Sequence, residues 1–207
     1  MVASMASLGM AMPHQQVLVP GRECGPCDVC CVVLQIDTGE IQKASGERCR
    51  HCLPSGGCGI HQARPAVCAG FYCAWRVLDM LGPDWRPDKS GVFAQLETEN
   101  IPPQFPVRSG ISLMLTSNPL KTVRERWFQE FVGKSVVSGI PLFLSLPGPR
   151  GHLPAKIMLN SDEMLAAAAS RVGGRIREQL ELMLKCLAAH PFERHVAIHS
   201  GNPAGTA

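Results

Sequence analysis

Nine of the ten cysteines in this 207-residue chain, Cys24, Cys27, Cys30, Cys31, Cys49, Cys52, Cys58, Cys68 and Cys73, fall within residues 24–73, and Cys186 stands alone near the end. The run Cys24-Gly-Pro-Cys27-Asp-Val-Cys30-Cys31 puts four thiols into eight residues. A Cys-x-x-Cys spacing lets two sulfurs reach one metal around a tight turn, and Gly25 with Pro26 favours the bend. A second pair, Cys49 and Cys52, follows after 21 residues, slightly beyond the roughly 15 to 20 usual between paired zinc knuckles. Adjacent cysteines do not as a rule point at one small centre, so Cys30 and Cys31 suggest two neighbouring metals, or one ligand beside a spectator. A lone cysteine is commonly a small buried hydrophobe, but nine in one short window have no packing explanation.

Compartment decides whether such thiols become disulfides or ligands. Met1 to Met12 has no basic residue ahead of its apolar stretch, contains Ser4, Ser7 and Gly9, and runs into Pro13-His14. It reads as the leader of a cytoplasmic protein; the alternative is an atypical export signal or a mis-assigned start codon. In a reducing cytosol dense cysteines imply metal or redox chemistry. Sulfur ligands suit zinc, copper(I) and iron–sulfur clusters alike. Three cysteines spaced Cys-x-x-Cys-x-x-Cys can hold three corners of an iron–sulfur cube while a distant one supplies the fourth. Alternatively, Cys24 and Cys27 with Cys49 and Cys52 make one closed tetrahedral zinc site, leaving five cysteines for another.

The ordered set Cys24-x-x-Cys27-x-x-Cys30-Cys31, Cys49-x-His51-Cys52, Gly57-Cys58-Gly-Ile60, Arg64-Pro65-x-x-Cys68, Phe71-x-Cys73-x-Trp75 and Trp85-Arg-Pro87-Asp88-Lys-Ser-Gly91 is similar to a known family. It resembles the zinc- or iron-chelating proteins with a Cys-x-x-Cys-x-x-Cys-Cys cluster, over about residues 22–92. The resemblance implies that Cys24, Cys27, Cys30, Cys31, Cys58 and Cys68 belong to the cluster. Cys49, Cys52 and Cys73 are then shared with a subgroup. This chain departs from the family pattern at His61, where Tyr is usual, and at Ala69, where Arg is usual. A flagellin lysine methylase resembles the family in its cysteines, which keeps an enzyme using an iron–sulfur centre as the alternative to a structural or metal-handling protein. The chain carries no Gly-rich nucleotide loop, His-Glu-x-x-His or Gly-x-Ser-x-Gly.

Other candidates have plainer readings. His51 and His61 lie among the cysteines and could replace a thiolate, but each reads first as a surface or hydrogen-bonding residue. His190, His195 and His199 read as solvated, Trp75 and Trp85 as a hydrophobic lid over the metal module, and Cys186 as core. Arg64-Pro65 could orient a sulfur or simply begin a turn. A net charge of +3 and 5% aromatic residues give little for phosphates or bases, so no nucleic-acid partner is expected. No apolar run approaches the roughly 20 residues of a membrane span. Metal ions are the expected partners, and no protein partner is indicated.

These residues need elements to hold them. Gly91 to Glu97, Gly110 to Thr116, Ile140 to Leu146 and His152 to Leu159 read as strands, the last two joined by a Pro-Gly-rich hairpin loop. Pro102, Pro103 and Pro106 keep their connection out of any sheet interior. Pro119 opens a helix that carries Leu120, Val123, Trp127, Phe128 and Phe131 on one face and ends at Gly133 or Gly139. Ser161 caps a long helix with Leu165, Ala168, Val172, Ile176, Leu180, Met183 and Leu187 on one stripe, interrupted at Gly173-Gly174. The expected fold is α+β: an irregular cysteine-rich, metal-organised module packed with a small antiparallel sheet and two helices. Its parts are a disordered leader (1–20), the cysteine module (21–90), a small α+β segment (91–192) and a flexible tail (193–207).

Overall fold

The computed structural model describes residues 17–170, 172 and 174–194. Most of the expected leader, and the tail with His195 and His199, lie outside the described residues. Before Val92 no element exceeds four residues. The Cys-, Gly- and Pro-rich half forms α1 (Cys30–Val33), a two-stranded ribbon of β1 (Ile36–Asp37) and β2 (Gln42–Lys43), then α2 (Ala66–Ala69), α3 (Ala74–Val77) and α4 (Pro87–Ser90). Apolar periodicity then takes over, giving β3 (Val92–Glu97), β4 (Gly110–Leu115), α5 (Pro119–Arg124), α6 (Arg126–Val137), β5 (Leu142–Leu146), β6 (Ala155–Met158), α7 (Asp162–Ala169) and α8 (Arg175–Ala189). No helix among the described residues is long and apolar enough to cross a membrane.

The class is α+β. The sheet runs in the order β3-β4-β5-β6 and is mixed, with two antiparallel pairs flanking a parallel β4/β5 pair. The expected all-antiparallel sheet is thus modified at its centre. α5 and α6 form a helical crossover between β4 and β5, and such a crossover returns the chain to run parallel. Along each strand residues alternate between faces. One face, with Val92, Ala94, Leu113, Leu115, Leu142 and Leu144, packs on Val123, Phe128, Val132, Met164, Leu180 and Leu187 of the helices. On the opposite face Phe93 and Met114 pack on Val33, against which Cys30, Phe71 and Cys73 also lie. The sheet is therefore a middle layer between helices and cysteine module. Ala74, Trp75, Leu81 and Trp85 of the cysteine-rich half belong to the helix-side core, so that half is packed to edge strand β3 on both faces.

Both expected helices are interrupted. Glu125 adopts extended backbone and separates α5 from α6, while Asn118 Oδ1 accepts the Lys121 N–H at 3.0 Å as the cap of α5. Gly133 does not end the helix but lies buried within α6; the end comes at Gly139, where φ is +71°. Ser161 caps α7 as expected, its Oγ accepting from Met164 N–H at 3.2 Å. The interruption around Gly174, at φ +95°, resets the helical phase. Hence Leu165 and Val172 are exposed, Met164 and Ala167 are buried in their place, and the stripe resumes at Leu180, Met183 and Leu187. Cys186 is exposed, correcting its reading as core: at about 100° per residue it falls roughly 95° from the centre of that stripe.

Candidate metal centre

The first thiol pair is placed by a turn in which Cys27 N–H donates to the Cys24 carbonyl at 3.0 Å. The loop carrying Cys58 lies directly on this turn. Gly56 and Gly57 have φ of +87° and +80°, and a Cβ on them would stand 2.5 Å from the Pro26 carbonyl oxygen and 2.7 Å from that of Gly25. Only glycine meets both conditions, which accounts for the Gly-Gly before Cys58. Cys49 N–H donates to the Cys31 carbonyl at 3.0 Å, and Cys52 N–H to the Cys49 carbonyl at 3.0 Å, so the second cysteine pair is laid against α1. An Asp28–Arg48 ion pair of 2.8 Å ties the same segments together. The Glu40 carboxylate accepts the Ala66 N–H at 3.1 Å, fixing the start of α2 and with it Cys68. Cys73 stands at the N-cap of α3.

Eight cysteines, Cys24, Cys27, Cys30, Cys31, Cys49, Cys58, Cys68 and Cys73, line one cavity of about 310 Å³. Cys52 is off its wall but close enough to Cys31 to feel its charge. All ten cysteines are free, and Cys186 does not line the cavity. The rest of the wall includes Ile36, Ile41, Ile60, Phe71 and Phe93, together with His51, His61, Arg64, Arg76 and Arg86. Cys30 Sγ and Cys31 Sγ are 4.0 Å apart. Adjacent thiols therefore do face one space, contrary to the sequence expectation, because they open the short helix α1. Sulfurs about 2.3 Å from a shared zinc would be separated by about 3.8 Å, close to the spacing of this pair.

Crowding and the apolar wall raise the pKa of Cys27, Cys31, Cys52, Cys68 and Cys73. The hydrogen bond with Cys30, followed by burial, pushes the Cys31 thiol strongly up. Burial pushes Cys27 up to about 11, and burial with the Cys31 charge pushes Cys52 up to about 11. Cys68 is raised by burial and then by Cys31, Cys49 and Cys58; Cys73 is raised by burial, opposed by the Arg76 backbone N–H. The Cys31 charge acts on Cys52 and Cys68, that of Cys24 on Cys73, and that of Cys73 on Cys27.

Several supports have no signature in spacing. Arg22 donates through Nη1 to the Trp75 and Leu78 carbonyls and through Nη2 to those of Asp79 and Leu81, clamping the segment after Cys73. Buried Lys43 donates to the carbonyls of Val32, Leu34 and Ala44, holding the end of α1. Arg64 does not orient a sulfur: it donates to His61 Nε2 at 3.2 Å and touches the Tyr72 hydroxyl at 3.5 Å. Trp75 lines the cavity, but Trp85 packs against Trp127, Phe128 and Phe131 in the main core rather than covering the thiols. His190 is exposed.

In donor chemistry the set fits a thiophilic metal, with soft sulfurs, a low-dielectric wall and cationic side chains to balance thiolate charge. In geometry the sulfurs are gathered without converging: among the described residues no group of three or more His, Cys, Asp or Glu side chains is placed so that it could hold a metal ion. No protein-family model, curated protein or solved structure matches the chain.

Proposed function

We propose that this chain binds zinc or iron through its clustered cysteine thiolates, in a structural or metal-handling role within the cytoplasm. The observation that carries the reading is the gathering of eight cysteines from five separate segments onto one cavity wall. Thiols pressed together with raised pKa values have no packing advantage over small apolar residues, and a metal ion removes their mutual cost by displacing the protons. Cys24, Cys27, Cys30, Cys31, Cys49, Cys52, Cys58, Cys68 and Cys73 are the donor set from which the centre is built. The likeness to the chelating family with the Cys-x-x-Cys-x-x-Cys-Cys cluster belongs to the same reading and rests on the ordered motifs alone.

A second reading, an enzyme using an iron–sulfur cluster for redox or group transfer, is favoured by the size of the cavity. About 310 Å³ lies at the lower end of the range for ligand pockets and exceeds what one tetrahedral ion needs. Anaerobic purification, elemental analysis and a visible spectrum separate the two. Zinc without colour supports the first reading, and stoichiometric iron with sulfide and reversible bleaching supports the second. Protein that carries no metal and takes up neither zinc nor iron when reduced would sink both.

A further inference from the structure

Beside the sulfur cavity lies a recess of about 440 Å³, lined by Glu23, Cys24, His61, Arg64, Tyr72 and Arg76. The guanidinium carbons of Arg64 and Arg76 each stand 5.6 Å from the Tyr72 ring centroid, so two like charges share one aromatic ring. Neither is in an ion pair among the described residues. Arg76 Nε and Nη1 are buried and have no hydrogen-bond partner. The contrast with Arg22 is informative: four backbone carbonyls receive that guanidinium, which makes it a structural clamp. A guanidinium with buried, unpartnered donors and no counter-ion is costly, and an ionised oxygen ligand offsets that cost through its charge and through charge-assisted hydrogen bonds to the part of the fork that lines the recess. Two guanidiniums against the single Glu23 carboxylate leave the recess positive, and planar guanidinium forks match planar or tetrahedral oxyanions.

We propose that this recess binds a small oxyanion, the carboxylate or phosphate group of a ligand, with Arg76 as its anchor and Arg64 and Tyr72 as its wall. Because Cys24, His61, Arg64, Tyr72 and Arg76 also line the cysteine cavity, a ligand held there by its anionic end presents its remainder to the sulfurs.

The test uses the full chain with its metal content measured, titrated calorimetrically at low ionic strength with inorganic phosphate and, separately, succinate. Saturable binding that Arg76→Gln weakens roughly tenfold to a hundredfold, the worth of a charge-assisted hydrogen bond, upholds the site. Phosphate alone assigns a phosphate group, and succinate alone a carboxylate. Saturation by neither overturns it, as does unchanged binding in Arg76→Gln. Should that variant fail to fold, Arg64→Gln decides, since its contacts are with His61 and Tyr72; binding must weaken severalfold, and unchanged binding overturns the proposal. Metal loss from Arg76→Gln with oxyanion binding intact overturns it too, assigning the arginine to thiolate charge balance. A metal-free chain that still binds phosphate through Arg76 keeps this site and removes the metal reading.

Discussion

Cysteine reactivity separates the ten thiols that composition alone leaves equivalent. Cys186 is exposed on α8, while the other nine are half-buried. Of these, Cys27, Cys31, Cys52, Cys68 and Cys73 are held up in pKa, the first and third to about 11. Because the thiolate is the nucleophile, native-state alkylation with iodoacetamide should label Cys186 first and these five last. Peptide mapping that finds Cys31 or Cys52 labelled ahead of Cys186 would contradict the burial described. Cys186→Ala should leave metal content unchanged and shift stability by no more than about 0.5 kcal/mol, as for other surface substitutions.

The loop 53–58 shows how an element with no regular structure can be strictly specified. It is held on the Cys24–Cys27 turn by the absence of side chains at Gly56 and Gly57, whose backbone φ values are also left-handed. Gly57→Ala combines strain with a Cβ 2.7 Å from a carbonyl oxygen that cannot rotate away. It should cost about 2 kcal/mol or more and reduce metal retention, read by thermal melting and elemental analysis. Gly133→Ala is the contrast: its Cβ would meet Ile176 Cδ1 at 2.8 Å, the end of a flexible side chain. Helix propensity favours alanine there by about 1 kcal/mol, so the net effect should be small. Equal losses in the two variants would show that loop 53–58 is not specified by that contact. The same distinction governs what the sequence reveals. All four strands of the large sheet, the helix start at Pro119, the cap at Ser161 and the Gly174 interruption follow from local patterns, because period and capping are local chemistry. The parallel β4/β5 pair, the break at Glu125 and the exposure of Leu165 depend on packing partners distant in sequence. At the site, the nine cysteines are legible from spacing alone, whereas their gathering on one cavity, Arg22, Lys43 and the unpartnered donors of Arg76 arise only where the folded segments meet.

At the scale of the molecule the sheet separates two cores of unequal independence. The helix-side core is built from large buried residues such as Phe128, Leu113, Leu142 and Leu180. On the cysteine side the buried cluster is Val33, Phe93 and Met114, too little apolar area to offset the entropy of ordering the segment from Cys24 to Cys73. Metal–thiolate bonds can supply about 10 kcal/mol or more, enough to decide whether that segment is ordered. Composition changes near Asp88 to Gly91, but Ala74, Trp75, Leu81 and Trp85 are already in the helix-side core, so dependence on metal should stop close to Cys73. Chelation of the metal-loaded protein under reducing conditions should therefore raise amide hydrogen exchange between Cys24 and Cys73. β4, β5 and α8 should remain protected, and so should the Trp75 and Trp85 segments. Exchange that rises through Trp85 as well would place the metal-dependent boundary at the compositional change instead. Protection unaltered in all segments would mean that the thiol cavity is preformed, and collapse of α8 together with Cys24–Cys73 would mean that the two cores fold as one.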